Sequence, residues 1–111
     1  MPVIDKTAFE ELKQISGDDF IDELIDAFLD DAPKMIKEME IALAARDPES
    51  FRRNAHSLKS NADTFGATEL AGLAKELEMM ARENNLEVDD RLENLRAALQ
   101  KAAAELEAMR T

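Results

Sequence analysis

Apolar residues recur three and four positions apart along almost the whole chain, a spacing typical of helices that bury one face. No stretch alternates apolar and polar residues with the period of two expected for a strand. Good helix formers dominate, whereas the 111 residues include only three Gly and three Pro. The sequence therefore predicts an all-α fold.

Helix-breaking residues divide the chain into one short and four longer helical segments. The breaks fall at Ser16-Gly17, Ala32-Pro33, Asp47-Pro48, Gly66 and Asn84-Asn85. We expect a short N-terminal helix over about 5–15 and bundle helices over about 18–46, 48–65, 68–84 and 89–110. Because the connections are short, these segments predict an antiparallel up-down four-helix bundle with one additional helix, forming a single domain over 1–111.

Local signals mark several helix ends. Asp47 is a candidate N-cap followed by Pro48 at the first helical position, and Gly66 can end the same helix in a left-handed turn. Asp5 or Thr7 can cap the first helix. We expect a proline inside the first long helix, at position 33, to kink or split it.

Composition excludes several classes of function. With 14 basic and 25 acidic residues, the net charge of −11 disfavours binding to nucleic acid or acidic membranes. The absence of Cys excludes disulfides, thiolate zinc sites and a cysteine nucleophile, and a single His cannot supply a di-metal carboxylate site. No apolar run approaches the roughly 20 residues of a membrane-spanning helix, and no signal peptide is recognisable. We therefore expect a cytoplasmic, monomeric protein.

The single histidine, His56, lies on the polar face of its helix. The apolar seam of that helix consists of Phe51, Ala55, Leu58, Ala62 and Phe65. On a helical wheel, His56 lies about 140° from the centre of this seam, so its imidazole is expected in water. Arg52, Lys59, Ser60 and Asp63 lie at about 80–180° and share that face.

Charge is sorted by region around this histidine. Residues 46–59 contain four basic residues (Arg46, Arg52, Arg53, Lys59) and two acidic ones (Asp47, Glu49), whereas residues 18–31 contain seven acidic residues and no basic one. Two cations beside an imidazole disfavour its protonated form and leave a nucleophilic nitrogen. The same cations could bind the oxygens of a phosphoryl group. An ordinary surface histidine is the alternative interpretation.

A thirteen-residue string around His56 resembles the signature of histidine-containing phosphotransfer (HPt) domains. It reads Ala55-His56-Ser57-Leu58-Lys59-Ser60-Asn61-Ala62-Asp63-Thr64-Phe65-Gly66-Ala67. The preceding helix also carries the phenylalanine and Asp-Ala-Pro run common in that family, in Phe28-Leu29-Asp30-Asp31-Ala32-Pro33. The resemblance covers most of the chain.

This resemblance implies an antiparallel four-helix bundle in which His56 carries a phosphoryl group. The group would be exchanged with the aspartate of a receiver domain, in a response regulator or a hybrid histidine kinase. Lys59 matches the family's lysine that assists the phosphoryl group, and Gly66 matches the turn between the two central helices. Ser60 departs from the glycine that the family most often has there. Magnesium would belong to the receiver, so we expect no cofactor or metal, no ATP site and no autonomous kinase activity in this chain.

Further residues receive predicted roles around this centre. Arg52 is assigned an auxiliary charge, and Ser60, Asp63 and Arg53 are assigned to partner docking. Phe20 and Leu29, at the edges of their apolar stripe, are also docking candidates, although large apolar side chains more often lie in the core.

Two other functions compete with the phosphorelay carrier. One is an acidic helical interaction module in which His56 is not phosphorylated. The other is the dimerisation and phosphoacceptor part of a histidine kinase, which would normally carry an acidic residue directly after the histidine, where this chain has Ser57.

Overall fold

The computed structural model describes residues 3–110, and these form five α-helices without a strand. The helices are α1 (Lys6–Ser16), α2 (Asp18–Ala44), α3 (Pro48–Thr64), α4 (Thr68–Arg82) and α5 (Arg91–Ala108). The four long helices form a bundle with α1 added at one end, which confirms the predicted all-α bundle. No helix in the described range is both long and apolar enough to cross a membrane.

The bundle places α3 between α2 and α4, and α5 packs against both α4 and α2. Phe28 of α2 contacts Phe65 at a ring-centroid distance of 5.2 Å, and the Asn61 amide lies 3.9 Å from the Met35 sulfur. These contacts set the antiparallel register of α2 and α3. Continued along both helices, the register places His56 opposite residues at about 37–40 of α2.

The second helix continues through Pro33, in line with the single segment predicted over 18–46, so of the two effects expected of the proline, a kink or a split, the split is absent. A proline removes one backbone hydrogen bond, here the one to the carbonyl of Leu29. The proline ring is exposed, whereas Phe28, Ala32 and Ile36 on the core-facing side of the same helix are buried. Burial of that face holds the helix together across the missing hydrogen bond.

The first helix covers the turn between α3 and α4. The Asp5 side chain caps α1 by accepting from the backbone N–H groups of Thr7 and Ala8, and the Asp5 N–H donates to the Gly66 carbonyl at 2.7 Å. Gly66 has a φ of +75°, and a Cβ there would lie 2.9 Å from the Asp5 carbonyl oxygen. The predicted left-handed turn is therefore present, and the contact with Asp5 also requires glycine.

The predicted ends of α3 are close to the observed ones. The Asp47 side chain accepts from the Ser50 N–H at 3.2 Å, as expected for an N-cap, with Pro48 at the first helical position. The predicted end of α4 and the predicted start of α5 each extend two residues too far into the connection between these helices. Asn84 and Asp89 have positive φ angles there, which ends the helical conformation earlier.

Candidate functional site

His56 projects from the middle of α3 with 53% of its side chain exposed. Ala55 and Leu58, on the opposite side of the helix, are fully buried. The helical wheel therefore places the imidazole correctly. A rigid, buried seam holds the backbone from which this exposed ring extends.

A buried carboxylate lies beneath the ring. Glu78 of α4 is 2% exposed, and its Oε2 lies 2.9 Å from His56 Nδ1. The Lys59 ammonium lies 3.0 Å from Glu78 Oε1, and an Arg82 guanidinium nitrogen lies 3.2 Å from Oε2. One carboxylate thus joins three basic side chains of α3 and α4.

Glu78 remains ionised in spite of its burial. Burial by itself raises the pKa of Glu78, but hydrogen bonds from Lys59 and His56 and the charge of Lys59 outweigh that effect, so the pKa lies below its ordinary value. A buried charge of this kind is stable only where partners satisfy it. Here all three partners are basic.

The ionised carboxylate fixes the proton arrangement of the imidazole. A carboxylate only accepts hydrogen bonds, so His56 Nδ1 must donate to Glu78. In the neutral ring, the lone pair then lies on Nε2. The site therefore holds one imidazole nitrogen by a hydrogen bond and leaves the other as a nucleophile.

The cations that the sequence places beside His56 each have an acidic partner. Arg52 pairs with Glu49 at 2.7 Å, and this hydrogen bond raises the pKa of Arg52 and lowers that of Glu49. Lys59 pairs with Glu78. The prediction that two cations act on the ring was incomplete, because it did not pair Glu49 with Arg52 and omitted Glu78.

Sequence reasoning missed Glu78 and Arg82. Glu78 lies about 100° from the centre of the apolar stripe Leu70, Leu73, Ala74, Leu77 and Met80 on a helical wheel, so the sequence places it on the polar face of α4. The structure instead buries it between α3 and α4, where an acidic residue needs basic partners. The sequence of α4 by itself carried no signal for this burial.

The predicted docking residues divide into two groups. Arg53, Ser60 and Asp63 are exposed on α3, three, four and seven residues from His56. Phe20 is 52% exposed, and Leu29 is partly buried against the core. From the α2–α3 register, Phe20 lies about 25–30 Å and Leu29 about 12–17 Å from the level of His56 along the bundle.

Within residues 3–110, no cluster of three or more His, Cys, Asp or Glu side chains is arranged to hold a metal ion. Glu78 and His56 form a pair, and the other ion-pair partners of Glu78 are the cations Lys59 and Arg82. The chemistry of the site is therefore that of a nucleophilic imidazole among charged side chains.

The family model described as the Hpt domain matches residues 23–109. The chain belongs to the Hpt family. This Hpt domain is similar to the crystal structure of histidine-containing phosphotransfer protein B (HptB) from Pseudomonas aeruginosa, with a TM-score of 0.88 and 28% sequence identity. The alignment covers 98% of the Hpt domain described here and 95% of the Pseudomonas chain. No curated protein matches.

Proposed function

We propose that His56 accepts a phosphoryl group from the aspartate of a receiver domain and donates it to another. The protein is a histidine phosphotransfer domain, whose role is to carry phosphoryl groups in a phosphorelay. One observation supports His56 above all others. Its ring is exposed, and its Nδ1 lies 2.9 Å from the buried carboxylate of Glu78.

The transfer conserves charge and protons. The Nε2 lone pair attacks the phosphorus of the receiver's acyl phosphate, an N–P bond forms, and the P–O bond to the aspartate breaks as the carboxylate leaves with its electron pair. The ring gains positive charge as the N–P bond forms, while Nδ1 keeps its proton. The ionised Glu78 carboxylate stabilises that charge. Return of the phosphoryl group follows the same path in reverse.

Lys59 is proposed to stabilise the transferring phosphoryl oxygens. It lies one helical turn from His56, and its ammonium contacts the same carboxylate as the ring does. Transfer requires mainly positioning and charge stabilisation, so a few oriented charges are sufficient on this side. Arg52 supplies an auxiliary positive charge on the opposite side of the ring along α3, moderated by Glu49.

The partner supplies the other groups that phosphoryl transfer requires. The proposed partners are receiver domains of response regulators or of a hybrid histidine kinase, and magnesium would be bound by the receiver. No cofactor, ATP site or autonomous kinase activity is assigned to this chain. We place the protein in the cytoplasm as a monomer, where such partners would be accessible.

The test is transfer from a phosphorylated receiver to the purified protein. Phosphate on this chain should be labile in acid and stable in alkali, as expected for a phosphohistidine. His56→Gln should take no label and keep its helicity, with only a small fall in thermal midpoint, because the exposed ring adds little to packing and only its hydrogen bond with Glu78 is lost. Ser57→Ala, at the next exposed position, is the matched control and should be labelled normally. Undiminished labelling of His56→Gln would refute the assignment.

A further inference from the structure

The charges that meet at Glu78 do not balance. Its single carboxylate pairs with two permanent cations, Lys59 and Arg82, in addition to the imidazole of His56. While the ring is neutral, one positive charge of this group therefore has no counter-charge within it. A site with an unbalanced cation favours the arrival of an anion.

Two arginines lie near the ring, and they differ in how they are paired. Arg52 donates two hydrogen bonds to Glu49, at 2.7 and 3.4 Å, so its charge is balanced locally. Arg82 donates a single hydrogen bond, at 3.2 Å, to Glu78 Oε2, and the same oxygen also accepts from His56. Among the described residues, Arg82 has no other acidic partner. The unbalanced charge is therefore best assigned to Arg82.

Arg82 can reach an anion bound to the ring. Its guanidinium and His56 Nδ1 contact the same oxygen of Glu78, at 3.2 and 2.9 Å, which brings the guanidinium close to the imidazole. A guanidinium has five N–H donors, and the contact with Glu78 uses one of them. The Arg82 side chain is 60% exposed, whereas that of Lys59 is 25% exposed. Arg82 can therefore turn toward the ring without disturbing the core.

Lys59 and Arg82 lie on opposite sides of the ring along the two helices. A short turn joins α3 to α4, so these helices run antiparallel. Lys59 lies three residues nearer to this turn than His56, and Arg82 lies four residues further from it than Glu78. Each cation is thus about one helical turn from the pair formed by His56 and Glu78. A phosphoryl group on the ring would have a cation on either side.

Phosphorylation of His56 supplies the missing negative charge. A phosphoryl group carries about −1.5 to −2 charges near pH 7. The ring gains positive charge as the N–P bond forms at Nε2, and Nδ1 keeps its proton. The modified residue therefore carries a net charge of about −1, which balances the extra cation. The planar guanidinium also matches the oxygens of a phosphoryl group in its geometry.

We propose that Arg82 binds the phosphoryl group carried by His56, on the side of the ring opposite to Lys59. One of its N–H groups donates to a phosphoryl oxygen, and the positively charged ring then becomes the main donor to Glu78 Oε2. The covalent step is unchanged, since Nε2 takes the phosphoryl group from the receiver's aspartate and returns it. The proposal rests on the proposed function of His56. Its consequence is that Arg82 stabilises the phosphorylated form of this chain relative to the phosphorylated receiver.

A purely structural role of Arg82 predicts a different result. If Arg82 only neutralised Glu78, its removal would leave the carboxylate free to interact more strongly with the ring. The positively charged ring of phosphohistidine would then be favoured. If Arg82 binds the phosphoryl group, its removal disfavours phosphohistidine instead. The two roles therefore shift the phosphoryl equilibrium in opposite directions.

The experiment measures how a phosphoryl group is shared at equilibrium between the protein and a receiver. Both are mixed at equal concentrations below half-saturation, and the ratio of phosphohistidine to phosphoaspartate is read once it is constant in time. Arg82→Gln should lower this ratio about tenfold, and Arg82→Lys, which keeps the charge, should lower it less. The ratio compares unbound proteins, so it does not depend on how well the receiver docks.

Arg91→Gln is the matched control. Arg91 also pairs with a carboxylate of α4, that of Glu76 at 2.7 Å, and its removal changes the net charge by the same amount. Its ratio should stay within about twofold of that of the parent protein. Thermal unfolding of each variant checks that it folds, which is expected for Arg82→Gln because Arg82 is exposed at the last residue of α4.

The outcomes separate this proposal from the one it rests on. If the parent protein takes no phosphoryl group, the proposed function fails and the role of Arg82 fails with it. If the parent exchanges phosphoryl groups and the ratio for Arg82→Gln is unchanged or higher, only the role of Arg82 is wrong. An equal fall for Arg91→Gln would also overturn that role, because it would show an effect of net charge alone.

Discussion

Replacing Glu78 by glutamine tests the central interaction of the site. The substitution keeps the shape of the side chain and removes its charge. In the parent protein, the two carboxylate oxygens accept from His56, Lys59 and Arg82 at 2.9, 3.0 and 3.2 Å. A glutamine has one acceptor oxygen, and its NH₂ group would face a second donor. At least one of these interactions is therefore lost.

The structure sets the expected size of the effect. Hydrogen bonds to charged groups contribute about 1.5–3 kcal/mol each, but exposed partners can turn to water and recover part of that energy. His56 and Arg82 are 53% and 60% exposed, whereas Lys59 is 25% exposed. We therefore expect a net loss of about 1–3 kcal/mol in the free energy of unfolding. Loss of the hydrogen bond that orients His56 Nδ1 should slow saturated phosphoryl transfer about 10- to 100-fold.

The pH dependence of this loss has a definite sign. The folded-state pKa of Glu78 lies below the ordinary value of 4.5, so the ionised form is stabilised by folding. Its contribution is complete above the ordinary value and is lost as the pH falls through the lower folded value. The stability difference between the parent and Glu78→Gln should therefore shrink as the pH falls below about 4.5.

Urea denaturation of both proteins between pH 7 and pH 3 measures this difference. Glu76→Gln is the matched control, because it removes the same charge from the same helix at a position 49% exposed, where Glu76 pairs with Arg91. Its effect should be small. A stability difference for Glu78→Gln that stays constant across this pH range would refute the role of the carboxylate charge.

Three further substitutions test other parts of the structure. Leu58→Ala should cost about 2–5 kcal/mol in urea denaturation because Leu58 is fully buried, and a loss under about 0.5 kcal/mol would contradict the buried seam. Gly66→Ala should cost about 1–3 kcal/mol and shift the thermal midpoint downward, because of its positive φ and the close Asp5 carbonyl; an unchanged midpoint would count against the contact. Lys59→Ala should slow saturated transfer in rapid-quench measurements by about one to three powers of ten. The sequence alone predicts almost no effect of Lys59→Ala on folding, whereas its contact with Glu78 predicts a loss of about 1–2 kcal/mol. Equal saturated rates with weaker binding would make Lys59 a docking residue.

Much of the fold follows from residues that act locally. The apolar periodicity identifies the five helices, and Asp47 and Gly66 mark the ends of α3 because a cap and a left-handed turn depend on residues close in sequence. At Pro33 the local signal, a kink or a split, competes with the apolar spacing that predicts one helix over 18–46. Burial of the core-facing side of α2 against other helices outweighs the local effect of proline, and the helix is continuous.

The site was predictable to the extent that it lies on one helix. The exposure of His56 and its proximity to Lys59 follow from the geometry of α3 alone. Glu78 is 22 residues away in sequence, and its contact with the ring depends on how α4 rotates about its axis when it packs on α3. A wheel for one helix contains no information on that rotation.

The cluster of His56, Lys59, Glu78 and Arg82 belongs entirely to α3 and α4, which a short turn joins into a helical hairpin. Closing a short connection costs little chain entropy. Contacts within this hairpin therefore cost less chain entropy than most of the other contacts between helices. Proteins also open in parts, and elements with few packed neighbours open most readily. Opening of α1 or fraying at the end of α5 would therefore leave the cluster assembled. In amide hydrogen exchange, the amides of α3 and α4 should stay protected through partial openings of the rest of the bundle. The charge arrangement around the imidazole should persist for as long as this hairpin does.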